Sequence, residues 1–324
     1  MATLISIVVP AYNEESCVEE LARRLAQVFA GLDAYEFEVI LVENGSNDRT
    51  YDLLLDIHER DRRFNVVQLA RNFGTDGGMT AGLAYAKGEA AVIMSADLQD
   101  PPEMIAMFLE RWAEGFENVY GVVTARRGTG PLRRFNSRLF YWVIGRLTGQ
   151  RVPENASDFR LVDRRVYETV NAMHEQNRFM RGLFAWVGYR SVGVEYERPP
   201  RFGGESKAGT MHVLDLATKG ILSHSNVPLK VVPWLGGIIS LGSFIALVTL
   251  TIRFFLFGVP FRGFGTIVGI SLLLFGFLFV ILGLIGQYIG LIYEEVKHRP
   301  NYVVRGIVGL DDRAVSREGI ETNT

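Results

Sequence analysis

A cluster of acidic and amide side chains follows an apolar run in the first third of the chain. Residues 90–94 are apolar, Asp97 and Gln99 come shortly after them, and prolines follow at 101 and 102. This pattern predicts a buried strand that delivers Asp97 and Gln99 to its carboxyl end, the edge at which open α/β sheets bind ligands. Their hard oxygen atoms suit Mg²⁺ or Mn²⁺ holding a diphosphate. A solvated helix cap at Asp97 would give the same local pattern.

Two more polar segments follow earlier predicted strands. The strand over 4–10 leads to the segment 12–14 (Tyr-Asn-Glu), and the strand over 37–42 leads to 43–44 (Glu-Asn). Alternating strands and helices predict βαβ units and a mostly parallel sheet, with these three strand ends at one edge. The remaining predicted elements are helices over 18–28, 52–61 and 79–86 and strands over 65–69 and 90–94. Three polar segments at one edge favour a ligand site over ordinary turn chemistry.

The phosphate-binding glycine motifs of other α/β proteins are missing from the sequence. There is no GxGxxG after the first strand and no GxxxxGK[ST] anywhere. The sequence therefore lacks the glycine loop with which a dinucleotide-binding fold or a P-loop protein binds phosphate, and a metal would have to take that role.

Length, charge and cysteine content narrow the class of protein. The chain has 324 residues and a formal net charge of −2. The length allows about two domains, and the near-neutral charge argues against a nucleic-acid binder. The single cysteine, Cys17, excludes an intrachain disulfide and fits a reducing compartment. No signal peptide is visible at the N-terminus.

Two long uncharged runs near the C-terminus predict a membrane hairpin. They cover 231–252 and 266–293, each at least as long as the ~20 residues that span a bilayer, which makes two buried core helices the weaker alternative. Basic residues flank the outer ends of the hairpin and predict both ends in the cytoplasm. We therefore expect a multi-pass inner or plasma membrane protein with a cytoplasmic α/β domain over 1–229, a two-helix hairpin over 230–295 and a cytoplasmic tail over 296–324.

Two stretches before the hairpin are predicted as helices that lie in the membrane interface. In 131–148 the apolar residues fall on one helical face and arginines lie largely off it, and 211–225 is a second candidate. A helix packed on the sheet would show the same pattern over 131–148. Interfacial helices would bring the candidate ligand site close to the membrane surface.

Several segments together resemble a known family. The segments 6–15, 43–46, 96–103, 157–161 and 178–186 resemble the family 2 glycosyltransferases with the GT-A fold. With the hairpin, the chain is most similar to the polyprenyl-phosphate glycosyltransferases, which include GtrB-type enzymes and dolichol-phosphate mannose synthase. The resemblance extends to about residue 304.

The resemblance implies roles for individual residues. The nucleotide-sugar site would comprise Pro10, Tyr12, Asn13, Glu14, Glu43, Asn44, Ser95, Ala96 and Asp97. Asp97 and Gln99 would bind the metal, and Asp158 would be the catalytic residue beside the acceptor. The diphosphate or the acceptor would be bound by Arg126, Arg160, Arg178, Arg181, Arg201, Ser206 and Lys207.

The sequence departs from the family pattern at two positions. Asn44 replaces an expected carboxylate, and because an amide donates as well as accepts, recognition of the base is affected. Ser95 replaces a carboxylate of the metal motif. We interpret Ser95 as weakening metal affinity and leaving more of the coordination shell to diphosphate and water; a metal that is less tightly required is the alternative.

The implied activity is an inverting transfer of a hexose, glucose or a relative, from a nucleotide-diphosphate sugar to polyprenyl phosphate at the cytoplasmic membrane face. Mg²⁺ or Mn²⁺ would be the cofactor, a UDP-sugar is favoured over a GDP-sugar, undecaprenyl phosphate is the expected lipid, and glycines in the spans allow a homo-oligomer. A processive polysaccharide synthase would carry a Gln-x-x-Arg-Trp motif, which is missing. The alternative is a catalytically degenerate scaffold that keeps the fold.

Overall fold

The structure is a computed structural model that describes residues 2–124, 156–176, 178–199 and 263–310, together with scattered helical positions between 238 and 256. The chain divides into two compact units. The first contains the described residues up to 199 and those from 299 onward, and the second contains those between 238 and 298.

Some predictions fall outside the described residues. They concern Arg126, Arg201, Ser206, Lys207, the interfacial helices over 131–148 and 211–225, and most of the first span.

An eight-stranded sheet forms the centre of the first unit. Its strands are β1 (Thr3–Ala11), β2 (Tyr35–Glu43), β3 (Phe64–Leu69), β4 (Ala90–Ile93), β5 (Asn118–Val123), β6 (Ala156–Asp163), β7 (Ser191–Tyr196) and β8 (Val304–Val308). They lie in the order β7-β5-β6-β4-β1-β2-β3-β8. β1 pairs in parallel with β2 and β4, β2 with β3, and β5 with β7, whereas β6 and β8 pair antiparallel with their neighbours. The predicted α/β fold with a mostly parallel sheet is confirmed.

Helices cover both faces of this sheet. They are α1 (Val18–Ala30), α2 (Thr50–Arg60), α3 (Gly74–Tyr85), α4 (Met104–Ala113), α5 (Arg164–Asn171) and α6 (Met180–Trp186). Successive residues of a strand point to opposite faces, so Ile7 and Val9 belong to one buried cluster and Val8 to another. The near-continuous apolar runs of the central strands follow from this burial on both sides.

The helix α3 starts earlier than its apolar pattern indicates. The helix was predicted over 79–86, but it begins at Gly74. Its first residues, Gly-Thr-Asp-Gly-Gly, carry no apolar period and include poor helix formers, which is why the pattern misses them. The glycines serve packing instead: a Cβ at Gly78 would lie 2.9 Å from the Pro10 Cβ, and one at Gly82 would overlap the Val8 Cγ1. Helix α3 therefore packs directly on β1 and β2.

The described part of the chain ends with a strand, β8, that belongs to the sheet. The predicted tail over 296–324 contains β8, which pairs antiparallel with β3 so that Val66 lies opposite Val308. The Ala70 amide also donates to the Val303 carbonyl at 2.8 Å. This segment therefore completes the edge of the sheet beside the loop that follows β3.

The second unit contains a long apolar helix, α7 (Phe264–Val296). Its portion Leu273–Val296 has a mean hydropathy of 2.2 and is long and apolar enough to cross a membrane. This helix agrees with the second predicted span. Among the described residues it is the single helix with these properties, and the two-helix hairpin stays a prediction.

The close contact between α3 and β1 predicts the effect of a single added methyl group. Gly82→Ala should lower the free energy of unfolding by about 1–3 kcal/mol, because the methyl group has no room beside Val8 and Val42. Thermal unfolding of the purified protein measures this. Gly31→Ala is the control, since a Cβ there meets only the Val28 carbonyl oxygen at 3.6 Å. Equal melting temperatures for the two variants would contradict the prediction.

Candidate functional site

The loops that follow β1 and β2 are joined by hydrogen bonds at the carboxyl edge of the sheet. The backbone N–H of Asn13 donates to the Ser46 Oγ at 3.1 Å, and the backbone N–H of Asn47 donates to the Asn13 Oδ1 at 2.9 Å. Asn13 has a φ of 53°, a left-handed conformation that asparagine tolerates better than most residues. The first two polar segments therefore meet, as the predicted topology requires.

The turn after β2 is shaped by Glu43 and Gly45. Glu43 is 2% exposed, and its Oε1 accepts a hydrogen bond from the Ser46 amide at 2.5 Å. Gly45 has a φ of 71°, and a Cβ there would overlap the backbone of Arg71. Only glycine fits both the conformation and the contact. The predicted nucleotide-pocket residues Pro10, Tyr12 and Glu14 lie half-buried on the neighbouring strand and loop.

Asn44 holds the loop between β3 and α3. Its Nδ2 donates to the Gly74 carbonyl at 2.8 Å and its Oδ1 accepts from the Phe73 amide at 2.9 Å. The side chain is 3% exposed, so both halves of the amide are satisfied inside the protein. A carboxylate could not make the first of these bonds, which gives the departure from the family pattern a structural reason.

The turn after β4 presents the predicted metal ligands. Asp97 is 6% exposed, and its Oδ1 accepts from the Gln99 amide at 3.1 Å. Leu98 between them has a φ of 58°, which is uncommon for a branched side chain and costs free energy. Ser95 lies half-buried and Ala96 buried at the start of this turn. Strained backbone of this kind is typical of functional turns that the surrounding structure holds in place.

Asp100, which the sequence analysis did not single out, anchors the same turn. It is 1% exposed, and its carboxylate accepts from the Ser95 amide at 3.0 Å and from the Tyr196 hydroxyl at 2.9 Å. An Arg198 nitrogen lies 3.6 Å from the Asp100 Oδ1. Burial raises the pKa of Asp100 above its ordinary value, and Arg198 opposes that rise. The acid before the two prolines was a signal for this role.

The donor atoms at this turn fit a divalent cation that is bound together with a diphosphate. Asp97, Gln99 and Ser95 offer hard oxygen atoms, the type that Mg²⁺ and Mn²⁺ prefer. Among the described residues, no group of three or more His, Cys, Asp or Glu side chains could hold a metal by itself. Mg²⁺ is commonly held by one or two carboxylates plus substrate phosphates, and this site provides such a partial set.

Asp158 and Arg181 form a two-pronged ion pair. Two guanidinium nitrogens of Arg181 lie 2.6 Å from the two carboxylate oxygens of Asp158, and the side chains are 27% and 32% exposed. Burial alone would raise the pKa of Asp158, but Arg181, Arg160 and Arg198 together lower it below its ordinary value. Asp158 is therefore an ionised carboxylate at neutral pH, fixed in orientation by Arg181.

A second carboxylate, Asp76 in the first turn of α3, lies close to this pair. Its Oδ1 accepts from the Met180 amide at 3.3 Å, next to Arg181 in the chain. Burial and, secondarily, the charge of Asp158 raise the pKa of Asp76 to about 6. The sequence analysis did not single out Asp76, although an acid at a helix start followed by glycines was visible.

Two of the predicted phosphate-binding arginines contact the protein itself. Arg160 is 4% exposed, lies 4.7 Å from the Phe184 ring centre and donates to the Ser157 carbonyl. Burial lowers the pKa of Arg160 to about 10, so it stays charged at neutral pH. Arg178 donates to backbone carbonyls at the end of α5 and to Thr80. Their contacts support the elements around Asp158, and Arg181 alone of the three pairs with it.

Comparison with known proteins assigns the family. The chain matches Glycosyl transferase family 2 over residues 6–170. It is 42% identical over 316 residues to an uncharacterized glycosyltransferase of Synechocystis sp., covering 96% of this chain and 98% of that protein. It is 35% identical over 301 residues to the bactoprenol glucosyl transferase of Shigella phage SfV, covering 93% of this chain and 98% of that protein. The chain therefore belongs to glycosyl transferase family 2, and the resemblance inferred from the motifs is confirmed.

Solved structures align less closely. Glucosyl-3-phosphoglycerate synthase from Mycobacterium tuberculosis, determined in complex with Mn²⁺, UDP-glucose and phosphoglyceric acid, aligns with a TM-score of 0.47 at 17% identity. The alignment covers 68% of this chain and 78% of that one. The family assignment rests on the sequence matches and not on this likeness.

The contacts of Asn44 predict the result of restoring a carboxylate. Asn44→Asp should lower the free energy of unfolding by roughly 1–3 kcal/mol at pH 8, because an acceptor would then face the Gly74 carbonyl. The loss should be smaller at pH 4, where a protonated carboxyl can donate. Thermal unfolding at both pH values measures it. The control is Asn47→Asp on the exposed part of the same turn; a loss as large in the control would count against the prediction.

The raised pKa of Asp76 predicts a pH-dependent stability. Since its pKa rises from 3.8 to about 6 on folding, its contribution to stability falls as pH increases through that interval. Asp76→Asn should remove this loss. The gain in free energy of unfolding of the variant over the parent protein should therefore be ~2 kcal/mol larger at pH 8 than at pH 4. Thermal unfolding at the two pH values tests this, with the exposed Asp52→Asn as control. An identical change at both pH values would refute it.

Proposed function

We propose that this family 2 glycosyltransferase transfers a hexose, glucose foremost, from a nucleotide-diphosphate sugar to polyprenyl phosphate at the cytoplasmic membrane face. A UDP-sugar is the favoured donor and undecaprenyl phosphate the expected lipid. The fold is of the GT-A type, and the transfer inverts the anomeric centre in one displacement. In the chain, the catalytic domain is followed by a C-terminal two-helix membrane hairpin.

The observation that carries this proposal is the end-to-end similarity to the bactoprenol glucosyl transferase of Shigella phage SfV. The 35% identity covers 93% of this chain and therefore includes α7 as well as the sheet. A polyprenyl acceptor is a lipid, and α7, which is long and apolar enough to span a bilayer, supports a membrane location.

The state of Asp158 supports a role other than general base. A phosphate monoester has a second pKa of about 6, so the acceptor is largely ionised at neutral pH and needs little help in losing a proton. A carboxylate whose pKa is lowered by Arg181 is a weak base. Asp158 therefore orients the acceptor through Arg181 and stabilises positive charge that develops on the sugar. The acceptor oxygen bonds to the anomeric carbon while the nucleoside diphosphate departs.

The turn after β4 would hold the leaving group. When bound, a divalent cation would offset the negative charge of the departing diphosphate. Asp97 and Gln99, with Ser95 beside them, are the residues proposed to hold it. Glu43 and the half-buried Pro10, Tyr12 and Glu14 would line the nucleotide pocket, together with the loop that Asn13 and Asn44 hold in place.

A transfer assay tests the proposed reaction. Purified protein is incubated with undecaprenyl phosphate and labelled UDP- and GDP-sugars, with Mg²⁺, Mn²⁺ or EDTA. Label from one donor, UDP-glucose foremost, should move into the organic phase, and EDTA should stop the transfer. Asp158→Asn should lower kcat at least ~10²-fold, whereas Asp56→Asn on the exposed face of α2 should match the parent protein.

Each outcome of the assay separates one part of the proposal. A folded protein that binds nucleotide but transfers no sugar would favour the degenerate scaffold. Transfer that survives EDTA would keep the reaction and remove the metal. Full turnover by Asp158→Asn would keep the reaction and remove the role of Asp158.

A further inference from the structure

Arg198 is an arginine of the candidate site that the sequence analysis did not single out. It follows β7 by two residues, and its guanidinium lies 3.6 Å from Asp100, the anchor of the turn that presents Asp97. The charge of Arg198 also contributes to lowering the pKa of Asp158. The guanidinium is therefore next to the turn that presents Asp97, and close enough to Asp158 for its charge to act on that carboxylate.

The hydrogen-bonding capacity of Arg198 is largely unused by the described residues. A guanidinium has five N–H donors, and the one contact of Arg198 in the described part of the chain is the ion pair with Asp100, which is too long for a hydrogen bond. The Nε is enclosed and has no hydrogen-bond partner there. The side chain as a whole is 30% exposed, so its outer nitrogens are accessible. The outer nitrogens are the donors that a ligand could reach, and a guanidinium with such donors left over is suited to bind an anion.

The neighbours of Arg198 show how it is held. Each carboxylate oxygen of Asp100 accepts a hydrogen bond without it, one from the Ser95 backbone amide and one from the Tyr196 hydroxyl. Arg198 is therefore not needed to satisfy the hydrogen-bonding capacity of Asp100, although its charge opposes the cost of burying that carboxylate. In contrast, Arg181 commits two nitrogens to Asp158, and Arg160 is buried against Phe184. Among these three arginines, Arg198 has the guanidinium that is best placed to bind an anion.

We propose that Arg198 is a further phosphate-binding residue of this site, contacting phosphate oxygens where the donor diphosphate and the acceptor phosphate meet. This inference rests on the proposed function. The planar guanidinium can contact two oxygens of one phosphate, which a lysine cannot do. The contact would add a positive charge where two anionic substrates approach each other, and it would couple the turn after β4 to the segment that follows β7.

The test compares Arg198→Gln and Arg198→Lys with a matched control, Arg190→Gln, which removes an exposed arginine that lies over the Phe116 ring. Four quantities are measured: UDP affinity by calorimetry with Mg²⁺ present, the KM for the donor, the KM for polyprenyl phosphate, and kcat. Arg198→Gln should lower kcat/KM roughly 10- to 100-fold. Arg198→Lys should recover part of the loss, and Arg190→Gln should equal the parent protein.

The pattern of losses identifies the phosphate. Weaker UDP binding assigns the contact to the donor diphosphate, and a raised KM for polyprenyl phosphate with unchanged UDP affinity assigns it to the acceptor. Values within twofold of the parent for Arg198→Gln would overturn the proposal. A loss that lysine does not reduce and that follows a lowered melting temperature would also overturn it, in favour of a structural role. If the parent protein transfers no sugar, the proposed function fails. Binding is then measured directly, and unchanged affinity of Arg198→Gln for both UDP and polyprenyl phosphate would overturn the Arg198 proposal as well.

Discussion

The arrangement of the site depends on the cost of taking charged and polar groups out of water at the carboxyl edge of a parallel sheet. β1, β2 and β4 must all end at this edge, so their polar side chains are crowded together and largely buried. Each such group needs a partner, and the structure provides one from a distant element: Arg181 for Asp158, and Tyr196 for Asp100. These pairings fix the loops and leave a concentrated set of oxygen and guanidinium groups facing the edge.

The same pairings divide the arginines by role. Arg160 and Arg178 are occupied with aromatic and backbone groups and support the elements around Asp158. Arg181 orients the carboxylate of Asp158, and most N–H donors of Arg198 make no hydrogen bond to the described residues. Residue type alone does not distinguish these roles, because the sequence shows an arginine but not whether it stabilises a loop or is available to bind phosphate. The distinction lies in which atoms are already bonded.

Periodicity was sufficient to predict the strands β1 to β4, the helices α1 and α2 and most of α3, and the arrangement of three polar segments at one edge of the sheet, but it did not predict α4 to α6 or β6 to β8. It failed where close packing rather than an apolar repeat determines the structure, as at the start of α3, where glycines let the helix approach β1. The partners of Asn44 and Asp76 could not be predicted either, since Phe73 and Met180 approach them only in the folded chain. The motif resemblance singled out Asp97, Gln99 and Asp158, whose roles stay predictions. It did not single out Asp100, which holds the turn that presents the first two.

The position of β8 has a consequence for how this chain is made. Val66 on β3 pairs with Val308 on β8. Since β8 follows α7 in the sequence, the ribosome synthesises the partner strand of β3 only after α7. During synthesis the open side of β3 exposes unpaired backbone groups, a surface on which strands of other chains could add. The final strand covers that edge, and its long sequence separation makes closure a late and slow event in folding. Completion of the sheet is thereby coupled to synthesis of the apolar helix, so that the catalytic unit is finished only after α7 has left the ribosome.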